Sequence, residues 1–438
     1  MRGTMCALLA CAALGSWARG ISGQTTGQPH ADDPVRTLVS RLELEKYKTT
    51  IKDLTQFGDR RQGTDRNRAA VDWIETQLKS YGCTNTERIK YEYNGRQLRN
   101  DSTNAADAAA GRGRAGGGGN RAGGAGADTT GGRARGAGGG GGGGGRAAGG
   151  GRGAGNPVKG FRGPTGVNTN PELQPDVRLR AINAQWDTPG PREEVYCTKI
   201  GSTIPGEMYI IGAHMDGHGY GAAANDDGSG TAIVMELARI LHMPDVQTER
   251  SIRFILFNNE ETGGGARAYV TQRSPLQGIE EPAGSGKYPE PKWLGMIQHD
   301  MMMWDHGMPG PDGKVNAEQR READINVEFA GTSRMADSAQ KLAWFFRRMN
   351  DRYATDYPAA VGDRMSNTDS GSFQDLVAAI SLRENERLAH TGTGWNPTWH
   401  QPIDVFETFS DKDFKLGLNA AQTTLAAVAQ LVGATIKK

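Results

Sequence analysis

MYIIGAHMDGHGYGAAANDDGSGTAIVMELARIL, residues 208–241, holds the pattern that decides the fold. A short apolar run, Met208–Ala213, reads as a buried strand. A Gly-rich turn follows, and the apolar spacing over Ser229–His242 reads as a helix. Working outward, the alternation recurs. Ile252–Phe257, Trp293–Gln298, Ile325–Phe329 and Leu376–Leu382 are predicted strands. Ser333–Tyr353 is an amphipathic helix, and a last helix runs from about Lys412 to Val432, capped by Ser410. Upstream, residues 33–56 read as helical on Leu38, Leu42, Leu44, Tyr47, Ile51 and Leu54. Thr64 caps a helix over 65–81 that Gly82 stops. Residues 83–93, 178–184 and 194–200 read as strands. Strands alternating with helices imply one α/β domain whose mixed, mostly parallel central sheet is sandwiched between helices.

The 438 residues carry 51 Lys+Arg against 50 Asp+Glu, and the resulting charge of +1 argues against a nucleic-acid binder that works by overall charge. Hydrophobic content is 36%, low for a globular chain, chiefly because 25 of the 45 residues from Gly111 to Gly155 are Gly. Residues 101–157 are therefore expected to be a disordered Gly/Arg-rich insertion within the domain, since they cannot offset the cost of ordering the backbone. No aromatic is interleaved with its arginines to stack on bases, so no nucleic-acid partner is expected. The remainder divides into 33–100 and 158–438.

Residues 1–22 read as an export signal. Arg2 is the basic end, Met5–Leu14 the apolar core, and Ser16-Trp17-Ala18 the cleavage site. This implies a secreted or periplasmic protein, with lipid anchoring at Cys11 as the variant. No run of about 18 apolar residues occurs, so no stable membrane insertion is expected. In an oxidising compartment Cys83 and Cys197 could form a disulfide or remain two buried thiols.

Five segments place metal-ligand types just after apolar runs, where open α/β sheets bind ligands. They are His214-Met215-Asp216; Asn225-Asp226-Asp227-Gly228-Ser229-Gly230; Glu260-Glu261; His299-Asp300; and His400-Gln401-Pro402-Ile403-Asp404. If the strand persists past Ala213, His214 and Asp216 share one face, and Asp216 is then placed to orient the imidazole. Asp226 or Asp227 could instead only cap the following helix. Adjacent carboxylates at 260 and 261 would repel if both were desolvated, a cost that a nearby cation removes. Taken together, two His and several carboxylates make an N/O ligand set suited to Zn²⁺.

These five segments, in this order, resemble the co-catalytic di-zinc exopeptidase family, which includes secreted bacterial leucine aminopeptidases and is related to glutaminyl cyclases and glutamate carboxypeptidases. The resemblance runs from about Thr64 to the C-terminus, with the Gly-rich segment unmatched. It implies two Zn²⁺ per chain and a phosphorylase/hydrolase-like fold. Asp226 would bridge the two sites, His214 and Asp300 would complete one, and Glu261 and His400 the other. Glu260 would be the general base and later protonate the leaving amine, and Asp216 would orient His214. Asp369 resembles the Asp of the family's Ser-Asp-His-x-x-Phe segment, although Ser370 stands where the family often has His. Gly263-Gly264-Gly265-Ala266-Arg267 departs from the usual Gly-Leu-x-Gly-Ser stretch. Tyr357 and His390 are candidates for stabilising the oxyanion. The implied activity is aminopeptidase action on peptides or small proteins, with carboxypeptidase and glutaminyl cyclase activity as the enzymatic rivals. A metal-dead binding protein is disfavoured by the complete ligand set.

Overall fold

The computed structural model describes residues 33–94, 167–304, 325–363, 365, 368–384 and 397–437. The expected export signal with Cys11, the insertion at 101–157 and His390 lie outside the described residues.

In chain order the elements are α1 (Pro34–Val39), α2 (Leu44–Thr55), α3 (Asp65–Ser80), β1 (Glu87–Tyr93), α4 (Val177–Ile182), β2 (Gly190–Lys199) and β3 (Ile204–His214). There follow α5 (Gly228–Leu241), β4 (Val246–Gln247), β5 (Arg250–Phe257), α6 (Gly265–Arg273), β6 (Lys292–His299) and β7 (Ile325–Phe329). The last are α7 (Ala336–Tyr353), β8 (Ala359–Gly362), β9 (Ala379–Glu384), α8 (Asp411–Leu431) and β10 (Thr435–Ile436). Eight strands form one sheet in the order β1-β2-β5-β3-β6-β9-β7-β8. β5, β3, β6 and β9 pair in parallel at the centre. β1 and β2 add antiparallel strands on one side, and β7 pairs antiparallel with β9 on the other. The sheet is therefore mixed, with a parallel centre.

The central strands are apolar because both faces are covered. In β5, Ile252, Phe254 and Leu256 enter the larger core, whereas Ile255 and Phe257 enter the second core on the opposite face. Buried residues of α2, α3, α5, α7 and α8 pack in the larger core, and Ala266 and Tyr269 of α6 in the smaller. Parallel pairing carries the ends of β3, β5 and β6 to one edge of the sheet, so His214, the residues after Phe257 and Asp300 meet there.

Two expectations change. The single helix over 33–56 is broken at residues 40–43. There the Ser40 hydroxyl donates to the Thr37 carbonyl at 2.8 Å, competing with the helical ladder, and Arg41 turns away to pair with Asp245 at 2.5 Å. Residues 178–184 are not a strand. Asp176 accepts the N–H groups of Arg178 and Leu179 at 2.8 and 3.1 Å and starts α4, of which only Leu179 is buried. The short alternation of apolar residues was a poorer guide than the capping carboxylate. Elsewhere Thr64 caps α3 by accepting the Asn67 N–H, and Ser410 and Asp413 form a capping box on α8. Cys83, in the connection between α3 and β1, is joined to Cys197 of β2 in a disulfide.

Candidate metal centre

β3 ends on His214, whose imidazole is almost wholly buried. Its Nδ1 lies 2.9 Å from the Asp216 backbone carbonyl, and that contact places the proton on Nδ1. Nε2 is then the lone-pair nitrogen, and it faces Asp226 Oδ1 at 3.4 Å, Asp300 Oδ1 at 3.9 Å and Glu260 Oε2 at 4.0 Å. Asp216 does sit beside His214, but by its carbonyl. Its carboxylate Oδ1 is 3.7 Å from Nδ1 and accepts the Glu260 backbone N–H at 3.1 Å. The residue thus ties the β3 end to the β5 end.

The turn before α5 separates two neighbouring carboxylates. Asp227 caps the helix, with Oδ1 accepting the Gly230 N–H at 2.8 Å and the Met301 N–H at 3.2 Å, and Oδ2 accepting the His214 N–H at 3.3 Å. That leaves Asp226 to face the imidazoles. Its backbone N–H and that of Asn225 are held by the Asp404 carboxylate at 3.1 and 2.8 Å. Buried Arg60 binds the turn from below, donating to the carbonyls of Met215, Ala222 and Ala223 at 2.7–2.9 Å.

Among the described residues three groups of side chains have ligand atoms within 4.8 Å of one another: at this edge of the sheet, His214, Asp226 and Asp300, and His218, Glu261 and His400; and the disulfide-bonded Cys83 and Cys197 with His242. Asp226 joins the first two, its Oδ1 directed to His214 and its Oδ2 lying 3.1 Å from His400 Nε2. Glu261 Oε2 lies 2.9 Å from His400 Nε2 and 3.0 Å from His218 Nε2. Asp300 divides its oxygens, Oδ1 toward His214 and Oδ2 paired with Arg383 of β9. Asp369 is buried behind the first group and accepts from Gln298 Nε2 at 3.1 Å. Tyr357, by contrast, belongs to the main core, where its hydroxyl donates to the Lys412 carbonyl. That placement in the packing removes it as a stabiliser of the oxyanion.

The electrostatics call for added positive charge. Burial opposes ionisation of Glu261, yet the His218 and His400 imidazoles hold it down at about 2. Burial would lower His400, but Glu261 and Asp226 raise it to about 10, and His214 is likewise raised by Glu260 and its other acidic neighbours. Burial raises Glu260 well above the usual carboxylate range and Asp369 to about 7. Asp226 Oδ2, Glu261 Oε1 and His218 Nε2 are buried without a well-aligned hydrogen bond. Buried polar atoms left without aligned hydrogen bonds in one cluster of ligand-type side chains are the arrangement a cation satisfies.

His218 was not singled out from the sequence. Its signal was present as the continuation of the same alternation, His214-x-Asp216-x-His218. The residue comes to His400 because Gly219, at φ +100°, lets the backbone pass where a Cβ would lie 2.3 Å from the His400 carbonyl.

Residues 196–423 match the profile of Peptidase family M28, and the stretch contains every ligand-type residue described above. The chain belongs to this family. It is 32% identical over 123 residues to aminopeptidase YwaD of Bacillus subtilis, covering 27% of this chain and 25% of YwaD. It is 34% identical over 71 residues to carboxypeptidase Q of Xenopus laevis, covering 16% of this chain and 15% of that protein. Both matches thus span a quarter or less of the relative's length. Among solved structures, BSAP, a zinc aminopeptidase from Bacillus subtilis, superposes with a TM-score of 0.54 at 13% identity, over 90% of this chain and 96% of that one. This M28 chain therefore shares the mixed-sheet fold of that protein.

Proposed function

We propose that this M28 chain is an exported exopeptidase holding two Zn²⁺, and that it removes residues from the amino terminus of peptides or small proteins. The observation that carries the reading is Asp226, which presents one carboxylate oxygen to each of two ligand groups. Its two oxygens suit it to bridge a metal pair. His214 and Asp300 would hold one ion, and Glu261 and His400 the other. When bound, zinc supplies Lewis-acid polarisation of the scissile carbonyl and a water made easier to ionise. Glu260 would serve as the proton acceptor for the attacking water. It is beside both groups, its backbone fixed by Asp216, and burial gives it the raised proton affinity that a general base able to return the proton requires.

The likeness to aminopeptidase YwaD supports an amino terminus over a carboxylate as the anchored end of the substrate, and so do the commitments of the nearby side chains. Around the two groups lie Asp216, Asp226, Glu260, Glu261, Asp300 and Asp369. The cations nearby among the described residues are committed: Arg383 to Asp300, Arg60 to backbone carbonyls, and Arg61 to Asp187 at 3.1 Å. With two Zn²⁺ counted the site is near neutral, so what disfavours a substrate carboxylate is that these arginines are already committed. Export is supported by the N-terminal reading and by the Cys83–Cys197 disulfide.

The test is release of p-nitroaniline from a panel of aminoacyl-p-nitroanilides by the purified full chain. Release is expected, lost with a chelator and restored by Zn²⁺. Protein shown to hold two zincs that releases nothing from the panel, yet trims amino-blocked peptides from the carboxyl end, would replace this reading with the carboxypeptidase one.

A further inference from the structure

We infer that His218 is an additional ligand, so that the two metal positions differ in kind: one held by two imidazoles, Glu261 and Asp226, the other by one imidazole, Asp226 and an Asp300 already paired with arginine. The inference rests on the zinc reading above and assigns an order of filling to it.

Four observations carry it. First, His218 and His400 direct their Nε2 atoms to the same carboxylate oxygen, Glu261 Oε2, at 3.0 and 2.9 Å. Second, the two rings stand perpendicular, 88° apart with centroids at 4.1 Å, so they converge without stacking on each other. Third, His218 Nε2 is buried and makes no aligned hydrogen bond, which is costly for an imidazole nitrogen kept merely for packing. Fourth, the chain is shaped to bring it there, since Gly219 approaches the His400 carbonyl where no side chain fits.

The consequence follows from ligand chemistry. Imidazole suits zinc better than carboxylate oxygen does, and each added imidazole raises the selectivity for zinc, cobalt or copper over harder ions. At the other position Asp300 gives one oxygen to Arg383, which draws electron density away from the ligand. The position with His218 and His400 therefore fills first and retains its ion. The position with His214 and Asp300, which has fewer protein donors, is the exchangeable one.

The test is zinc uptake by chelator-stripped full chain, titrated against a chromophoric competitor, with melting of the metal-free protein measured alongside. The wild type is expected to show two unequal steps. His218→Ala and His218→Asn should weaken the tighter step by roughly 100-fold or more, since even partners that only orient a ligand are worth about 10–100-fold. The weaker step and the metal-free melting temperature should hold. Two equal steps in the wild type, unchanged steps in both variants, or equal weakening of both steps would each overturn the inference while leaving the zinc reading intact. A wild type that takes up no zinc would overturn the zinc reading itself.

Discussion

Asp226 and Asp227 are chemically identical neighbours with unrelated work. Asp227 spends its oxygens on three backbone N–H groups, and Asp226 keeps both for the imidazoles. The sequence left open which of them capped the helix, because both stand at cap distance from an apolar run. Only the backbone path of the turn separates them, and that path is held by Asp404 and Arg60 from elsewhere in the chain. Glu260 and Glu261 divide in the same way. Glu261 is drawn down by two imidazoles, whereas Glu260 is raised by burial. Replacing Glu260 by Gln should keep both zincs and lower kcat by roughly 100- to 10,000-fold, the range expected when a general acid–base group is removed. Measuring metal content and turnover on the same sample checks this, and near-normal turnover would move the base elsewhere.

At the scale of elements, apolar periodicity read the central strands and the long helices closely, because both faces of the sheet are buried and the signal is strong. It misread residues 178–184, where a short alternation meets a side-chain cap, and it ran α1 and α2 together across the break at Arg41. α5 carries a separate prediction at its C-terminal end. His242 donates Nδ1–H to the Ala238 carbonyl at 2.9 Å, lies against Phe254, and is pulled down by burial to about 4. The unfolded chain takes up this proton near pH 6.5, before the folded one does. The neutral imidazole's contribution is therefore complete above about pH 6.5 and is lost as pH falls toward 4. The loss is at most roughly 3 kcal/mol. Urea unfolding across that window should fall more steeply for the wild type than for His242→Phe. Parallel curves would show that this helix end does not titrate as described.

Among the described residues the eight-stranded mixed sheet carries a heavy helical layer on one face and a lighter one on the other, β4 and β10 form a separate two-stranded sheet, and the Cys83–Cys197 disulfide closes a loop of sequence separation 114. Replacing both cysteines by Ser should lower stability by about 5 kcal/mol at most, because the unfolded chain regains the freedom of that loop. Excising residues 101–157 halves the loop. By the same logic excision should change the disulfide's contribution by only about 0.6 kcal/mol. Denaturant midpoints for the intact and shortened chains, each with and without the cysteines, check both figures, and an unchanged midpoint on cysteine removal would sink the first. The sequence by itself determined the fold class, the order of the strands' acidic and imidazole ends, and the family resemblance, because these depend on local periodicity and on residue types at short spacing. The tertiary structure decided which carboxylate caps and which faces the imidazoles, that Tyr357 belongs to the core, that Arg383 holds Asp300, and that His218 joins His400. Each of these depends on groups far apart in the chain that meet only when parallel pairing and the turn around Gly219 bring them to one edge of the sheet.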